Sequence, residues 1–232
     1  MSSGLLSPRK KPSTYEVVRD AAAALFLEKG FADTTIQDIG DAAGLSKARA
    51  FYHISSKEAL LHEILMIGLS RISRRLEEIC GHPLSCSDRL RLVLRDTLTA
   101  ASHDVYASIA VLRHQDLRFL TAQHRSEYVE LRDRYQALLL GLLQEGAESG
   151  EFRMAEHSDL KMIAFGIVGM IAHFQRWYRA DGELTPAEIA DIWWAMLLHG
   201  IADAQPAASV VTPPPAMGKP ERRAAQAARR TS

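Results

Sequence analysis

The 232-residue chain carries 28 basic and 28 acidic side chains, with 47% hydrophobic and 24% charged residues, ordinary proportions for a folded soluble protein and too apolar for a disordered one. A chain this long can bury enough surface to need no disulfide or metal staple, and Cys80 and Cys86 are too few for a disulfide framework. The longest apolar run, Met162 to Ala172, falls well short of the roughly 20 residues of a membrane span, which excludes a transmembrane protein; with no signal-peptide pattern, a reducing cytoplasm is the expected location.

Zero net charge conceals an uneven distribution. Residues 1–57 hold 8 basic and 6 acidic side chains, residues 58–202 hold 15 and 20, and residues 203–232 hold 5 and 2. Both ends are basic and the middle is acidic, so a polyanion would be met by an end while the middle faces away.

Residues 1–12 read as a flexible basic arm with Arg9, Lys10 and Lys11 and no periodicity that could bury a face. Val18, Ala21, Ala22, Leu25 and Phe26 then form a helical stripe that predicts a first helix from about Ser13 to Lys29, stopped by Gly30. Thr35 caps a second, short helix with Ile36, Ile39 and Ala43 on one face and Gly44 at its end. Ser46 caps a third through about Tyr52, and Ser55 with Glu58 makes a capping box for a long fourth helix to about Ile79. Leu90, Val93, Leu94, Thr97, Leu98 and Ala101 form the next stripe, followed by segments near Asp104 to Phe119 and Ser126 to Glu148. Asp159 to Ala180 is apolar nearly all round in its first turns, which implies burial on more than one side. Thr185, Pro186 and Glu188 open a last helix whose face is Ile189, Ile192, Trp193, Met196 and Leu197. A closing helix pair this apolar points to a partner subunit and makes those five residues the expected dimer interface. From about Asp203 the chain reads as a disordered Ala/Pro-rich basic tail, residues 203–232. The expected fold is all-α, with about nine helices.

Two short helices joined at Gly44 form the pattern of a helix-turn-helix in residues 13–57, followed by a larger helical domain in residues 58–202. Ile36 and Ile39 pack the first helix of the pair on the core, Gly44 permits the sharp turn, and Leu45 pins the corner. Lys47 and Arg49 can reach phosphates or guanine edges, Ala48 and Ala50 allow close approach, and Tyr52 and His53 offer hydrogen bonds. Thr35 and Ser46 sit at helix starts, and Lys57 is placed to meet a phosphate at the free amides of the next helix.

Ala22 to Phe26, Gly30-Phe31, Thr34-Thr35-Ile36, Asp38-Ile39, Ala42 to Lys47 and Ser56 to Leu61 resemble the N-terminal signature of the TetR family of bacterial transcriptional regulators over about Ser13 to Leu61. Gly40, Phe51 and Ile54 depart from it, standing where the family usually has Ala, a phosphate-contacting Tyr and Phe. The resemblance implies a homodimer whose two modules bind successive major grooves of a double-stranded operator, and a larger domain whose small-molecule effector changes their separation. Arg132 to Tyr135, Gln144-Glu145-Gly146, Gly150-Glu151-Phe152, Arg176 to Arg179, Asp181-Gly182 and Leu184 to Ala190 further resemble the subgroup that senses coenzyme A thioesters in lipid, steroid or aromatic-acid catabolism.

Met170, Phe174 and Trp177 have a bland reading as core, but His173 and Arg176 fall on or beside the same apolar helix, where an unpaired buried charge is costly. A partner carboxylate, a bound anion or exposure at a pocket mouth is required, and an acyl chain in an apolar pocket with phosphates at an Arg fits that mixture. Met170, His173, Phe174, Arg176 and Trp177 are therefore the expected effector contacts. Asp104 or Asp116 would serve the rival reading, an efflux repressor sensing lipophilic cations. A third reading, an acyl-thioester enzyme or carrier, lacks a nucleophile elbow, a phosphate loop and a His-Glu-x-x-His pattern. Cys80, His82 and Cys86 supply three soft ligands where a structural zinc wants four, so no metal and no resident cofactor are expected.

Overall fold

The computed structural model describes residues 12–112, 114–152 and 159–199. The tail, and all of the arm but Pro12, lie outside the described residues. The order is α1 (Thr14–Glu28), α2 (Ile36–Ala42), α3 (Lys47–His53), α4 (Lys57–Cys80), α5 (Cys86–His103), α6 (Val105–Leu112), a 3₁₀ turn (His114–Phe119), α7 (Ala122–Glu148), α8 (Leu160–Trp177) and α9 (Pro186–His199). The described residues are all-helical, as the periodicity predicts.

Most helix ends follow from local chemistry. Ser13 and Glu16 close a capping box on α1, Thr35 and Asp38 do so on α2, and Thr185 and Glu188 on α9. Three boundaries differ from expectation. The cap of α4 is Ser56, whose hydroxyl accepts from the Ala59 amide, and not Ser55. Glu58 is thereby released from any box and accepts instead from the Thr121 amide at 2.9 Å and pairs with His124 Nδ1 at 2.8 Å, at the start of α7. The segment expected over Asp104 to Phe119 is divided: α6 ends at Leu112 and a 3₁₀ turn follows, with Arg125 donating to the carbonyls of Leu117, Arg118 and Leu120 that a longer helix would have satisfied internally. Finally, Thr121 caps α7 five residues ahead of the expected Ser126.

The stretch Gly146 to Phe152 proves to be a helix stop. A Cβ on Gly146 would lie 2.2 Å from the Phe152 ring, Gly150 has φ +77°, and the Phe152 amide returns to the Gly146 carbonyl at 2.9 Å. Glu151 then receives the Ser87 amide at the start of α5.

Helix α4 is the spine. Ten of its residues, from Leu60 to Ile79, are buried against α5, α6 and α7. Its crossing with α6 is so close that a Cβ on Gly68 would lie 2.1 Å from the Tyr106 carbonyl oxygen. At its start, His62 stacks on His124 of α7 at 4.0 Å and lies 3.1 Å from Glu127. Asp104 both ends α5 and begins α6: its carboxylate accepts from the Tyr106 amide and pairs with Arg71 of α4. Asp191 of α9 is clasped by Arg91 and Arg95 of α5.

Two predictions follow from this packing. Gly68→Ala forces backbone against backbone and should lower the unfolding free energy by about 1–3 kcal/mol in urea denaturation; a neutral result would contradict the close crossing. Burial, and then the neighbouring His124, push the His62 pKa below 6.5, so the unfolded chain takes up a proton that the folded one refuses. Stability should decline as pH falls below 6.5, and His62→Gln should flatten that slope in thermal melts across the range.

Candidate functional site

The N-terminal module is built around Ile39, Ala50 and Ile54, all buried. Gly44, at φ +67°, turns the chain between α2 and α3, and the Leu45 amide closes the turn on the Gly40 carbonyl at 2.9 Å. Gly40 is required by packing: a Cβ there would lie 2.7 Å from that of Ala50, so α3 lies closer to α2 than an alanine would permit. Ile54 supplies the apolar anchor at the end of α3 that a larger ring would otherwise give.

With Ala50 and Ile54 inward, the 3.6-residue turn places Tyr52 and Ala48 at the centre of the outward face, Arg49 to one side and Phe51 to the other. Tyr52 is 85% exposed and Phe51 52%, uncovered by any described part of the chain. His53 is half-buried with its ring edge-on to Tyr52 at 5.1 Å. Ser46 occupies the cap position of α3 but its hydroxyl makes no cap bond. The Thr35 hydroxyl is spent on the Asp38 amide, and the Thr35 amide, with Lys29 beside it, holds the Asp38 carboxyl down at about 2. The Lys47 backbone opens α3, and its side chain lies outside the described residues.

Lys57 is the correction here. The ammonium expected at a phosphate donates to the Phe31 carbonyl at 2.8 Å and the Thr34 carbonyl at 2.7 Å, with its charge 4.3 Å from the Phe31 ring centroid. It ties α4 to the loop before α2, and burial lowers its pKa. Phe31 in turn packs on Phe26 of α1 and on Phe119 of the 3₁₀ turn, so the module's loop is wedged against the larger domain.

The expected effector residues do not converge on a cavity. Phe174 is wholly buried, stacked on Tyr178 at 4.6 Å and edge-on to Trp177 and Trp193, because it lies on the inward stripe of α8 with Ala164, Ile167 and Ile171. His173, Arg176 and Trp177 lie on the outward side and Met170 is half-buried. The expected dimer face divides in the same way: Ile189 is buried in the chain's own core, Trp193 and Leu197 pack partly against it, and Ile192 and Met196 stand exposed. Met162, Phe165 and Trp177 of α8 join Ile192 and Met196 as exposed apolar surface among the described residues. Of the acids offered to a cationic ligand, Asp104 is consumed by Arg71 and the amides of α6, and Asp116 is buried in the 3₁₀ turn. No group of three His, Cys, Asp or Glu side chains among the described residues is arranged to hold a metal.

Sequence reasoning passed over the junction between the module and the larger domain. The Tyr106 hydroxyl receives Arg19 Nε at 2.8 Å and donates to Asp20, both on α1, while Arg71 of α4 caps its ring at 4.6 Å. Gln175 of α8 donates to the Ala101 carbonyl and lies 3.5 Å from the Ser108 hydroxyl at the start of α6. These partners are 35 to 87 residues apart, and no local pattern announces them.

Residues 18–64 match the family described as bacterial regulatory proteins, tetR family, and residues 83–201 match the tetracyclin repressor-like C-terminal domain. The chain belongs to the TetR family. The transcriptional repressor KstR2 of Rhodococcus jostii is 32% identical over 188 residues, which are 79% of this chain and 88% of that one. The solved structure of the ketosteroid transcriptional regulator KstR2 of Mycobacterium tuberculosis is 25% identical with a TM-score of 0.72, covering 81% of this TetR chain and 94% of that one. AibR, solved in complex with isovaleryl coenzyme A and operator DNA, is 24% identical with a TM-score of 0.71 over 80% of this chain and 98% of that one, a likeness of fold.

The Lys57 geometry makes a testable distinction within this TetR module. Lys57→Met should cost about 1.5–3 kcal/mol of stability through two lost charge-assisted bonds, while the slope of log affinity for DNA against log salt stays as in the wild type. A slope shallower by about 0.9 would show a phosphate contact after all.

Proposed function

We propose that this TetR-family protein is a homodimeric transcriptional repressor that holds a palindromic operator and is released by a small molecule, an acyl-coenzyme A thioester of a catabolic pathway. The observation that carries the DNA half is the outward face of α3, where Ala48, Arg49, Phe51 and Tyr52 stand exposed on a helix fixed from behind by Ala50 and Ile54. A major groove accepts such a helix, and a dimer would set two of them about 34–36 Å apart on successive grooves of one side of the duplex. The bare apolar surface of α8 and α9 is the natural seat of the second subunit, since burying Met162, Phe165, Ile192 and Met196 is favourable by about 25 cal/mol per Å². Thr35 at the start of α2 and Ser46 at the start of α3, with Lys47 and His53, complete the proposed contact set.

The thioester reading is supported by the end of α8. His173, Arg176 and Trp177 are exposed together there, beside the aromatic stack of Phe174 and Tyr178. A guanidinium and an indole at the surface suit the phosphates and adenine of a coenzyme A moiety. Met170, half-buried on the same helix, is the proposed contact of the acyl end. KstR2 is named a ketosteroid regulator and AibR was solved with isovaleryl coenzyme A, and both share this architecture. The protein acts by a binding equilibrium and not by turnover, at operator DNA in the cytoplasm, with no resident cofactor. Release requires that the thioester prefer the state with the wrong helix separation; equal affinity for both states would release nothing.

A mobility-shift titration with DNA flanking the protein's own gene, repeated with a panel of acyl-coenzyme A esters and lipophilic cations, tests the reading. One thioester should dissolve the complex, and Arg176→Ala should raise the concentration needed by about tenfold, worth about 1.4 kcal/mol, without changing affinity for DNA alone. Release by cations only, or the absence of a sequence-specific complex, would sink it.

A further inference from the structure

Helix α3 gives Ala50 and Ile54 to the core, and the helical step of about 100° per residue carries Phe51 and Tyr52 away from them. Neither ring packs against the core, and no described part of the chain covers either one. Ala48, also exposed, lies three residues before Phe51 and four before Tyr52, so the three side chains share one patch of the helix surface. Arg49 is exposed on the opposite flank.

The chemistry of this patch restricts what it can meet. The side chains of Ala48 and Phe51 carry no donor or acceptor, so neither can bond a phosphate or the polar edge of a base. Tyr52 adds a second ring with its hydroxyl as the sole polar atom, and that ring is held edge-on to the half-buried His53 at 5.1 Å. Ala48 is the small member of the three, and its short side chain leaves room between the two rings for a group the size of a methyl. The base edges in a major groove present ring nitrogens, carbonyl oxygens and amino groups, and one apolar group, the 5-methyl of thymine.

We infer that the Ala48–Phe51–Tyr52 patch of α3 reads a thymine through its 5-methyl group, which makes Phe51 a specificity-determining residue of the operator complex. The inference rests on the operator-binding reading of α3 and names the base that this part of the helix selects. The methyl enters beside Ala48 with Phe51 on one side and Tyr52 on the other, and its transfer from water into that apolar setting supplies the discrimination. Cytosine, with hydrogen at the same ring position and an amino group next to it, leaves the rings without a partner, and the purines present polar atoms to them. Arg49, on the other flank, is left to a guanine edge or a phosphate, so one short helix reads two kinds of chemistry on its two sides.

The test uses the full chain and begins with the selection of bound duplexes from a random pool at fixed salt. Each thymine of the selected site is then replaced by deoxyuridine, which removes the methyl and keeps the base pair. At one thymine of each half-site the replacement should weaken binding by about fourfold per methyl, the effect of burying one such group. Phe51→Ala should bind the thymine and deoxyuridine duplexes alike, with an unchanged unfolding midpoint because the ring is exposed. Tyr52→Phe, which keeps the ring, should preserve the wild-type ratio between the two duplexes. Arg49→Ala should preserve it too while weakening both. A selected operator with no methyl-dependent thymine would overturn the assignment and leave operator binding standing. So would a Phe51→Ala variant that weakens both duplexes equally, as the loss of a sugar contact does. A pool that yields no preferred sequence would instead sink the operator reading itself, and this inference with it.

Discussion

The crossing of α4 and α6 at Gly68 is the constraint on which the other elements depend. Because no side chain separates the two helices there, the Tyr106 backbone lies directly on the spine of the molecule. The Tyr106 ring is thereby carried past α4 to α1, where its hydroxyl stands between Arg19 and Asp20. A larger residue at position 68 would push α6 away and pull that hydroxyl out of its bonds. The ionic partners support the same geometry: Arg71 pairs with Asp104 at the head of α6 and covers the ring of Tyr106, so one guanidinium fixes both the start of the helix and its first aromatic side chain.

From this crossing two routes join the DNA-reading module to the larger domain. One passes along α4, whose first turn is tied to the α1–α2 loop by Lys57 and to α7 by Glu58. The other passes through α6, whose Ser108 hydroxyl accepts from Gln175 of α8 at 3.5 Å and whose Tyr106 holds α1. Short, directional contacts thus run from α7 and α8 to α1 and the base of α4. Such elements suit a two-state switch, since close-packed interfaces with charged hydrogen bonds rearrange between discrete arrangements more readily than they deform.

Much of the fold was legible in residue order. Thr35 with Asp38, Gly44 at the turn, and the box of Thr185 with Glu188 are signals whose partners lie within four residues, and each appears as expected. The errors occur where a local signal had a distant competitor. Ser55 and Glu58 have capping-box spacing, but Ser56 takes the cap and Glu58 is drawn to the amides and imidazole of α7. Lys57 was placed correctly at a helix start, yet the carbonyls of Phe31 and Thr34 take its protons. Periodicity assigns α9 a single apolar face of five residues, while the fold turns Ile189 inward with Trp193 and Leu197 packed partly against the core and leaves Ile192 and Met196 outside, because α9 carries a wider apolar band than the described chain covers.

The sequence by itself determined the helical class, the helix-turn-helix and the resemblance to the TetR family, because caps, turns and amphipathic stripes are encoded at separations of one to four residues. Tertiary structure alone decided which polar groups meet: Tyr106 with Arg19 and Asp20, Glu58 with His124, and Gln175 with Ala101. Their partners are brought together only when helices far apart in the chain pack, and hydrogen-bond geometry at that range leaves no periodic trace in the order of residues.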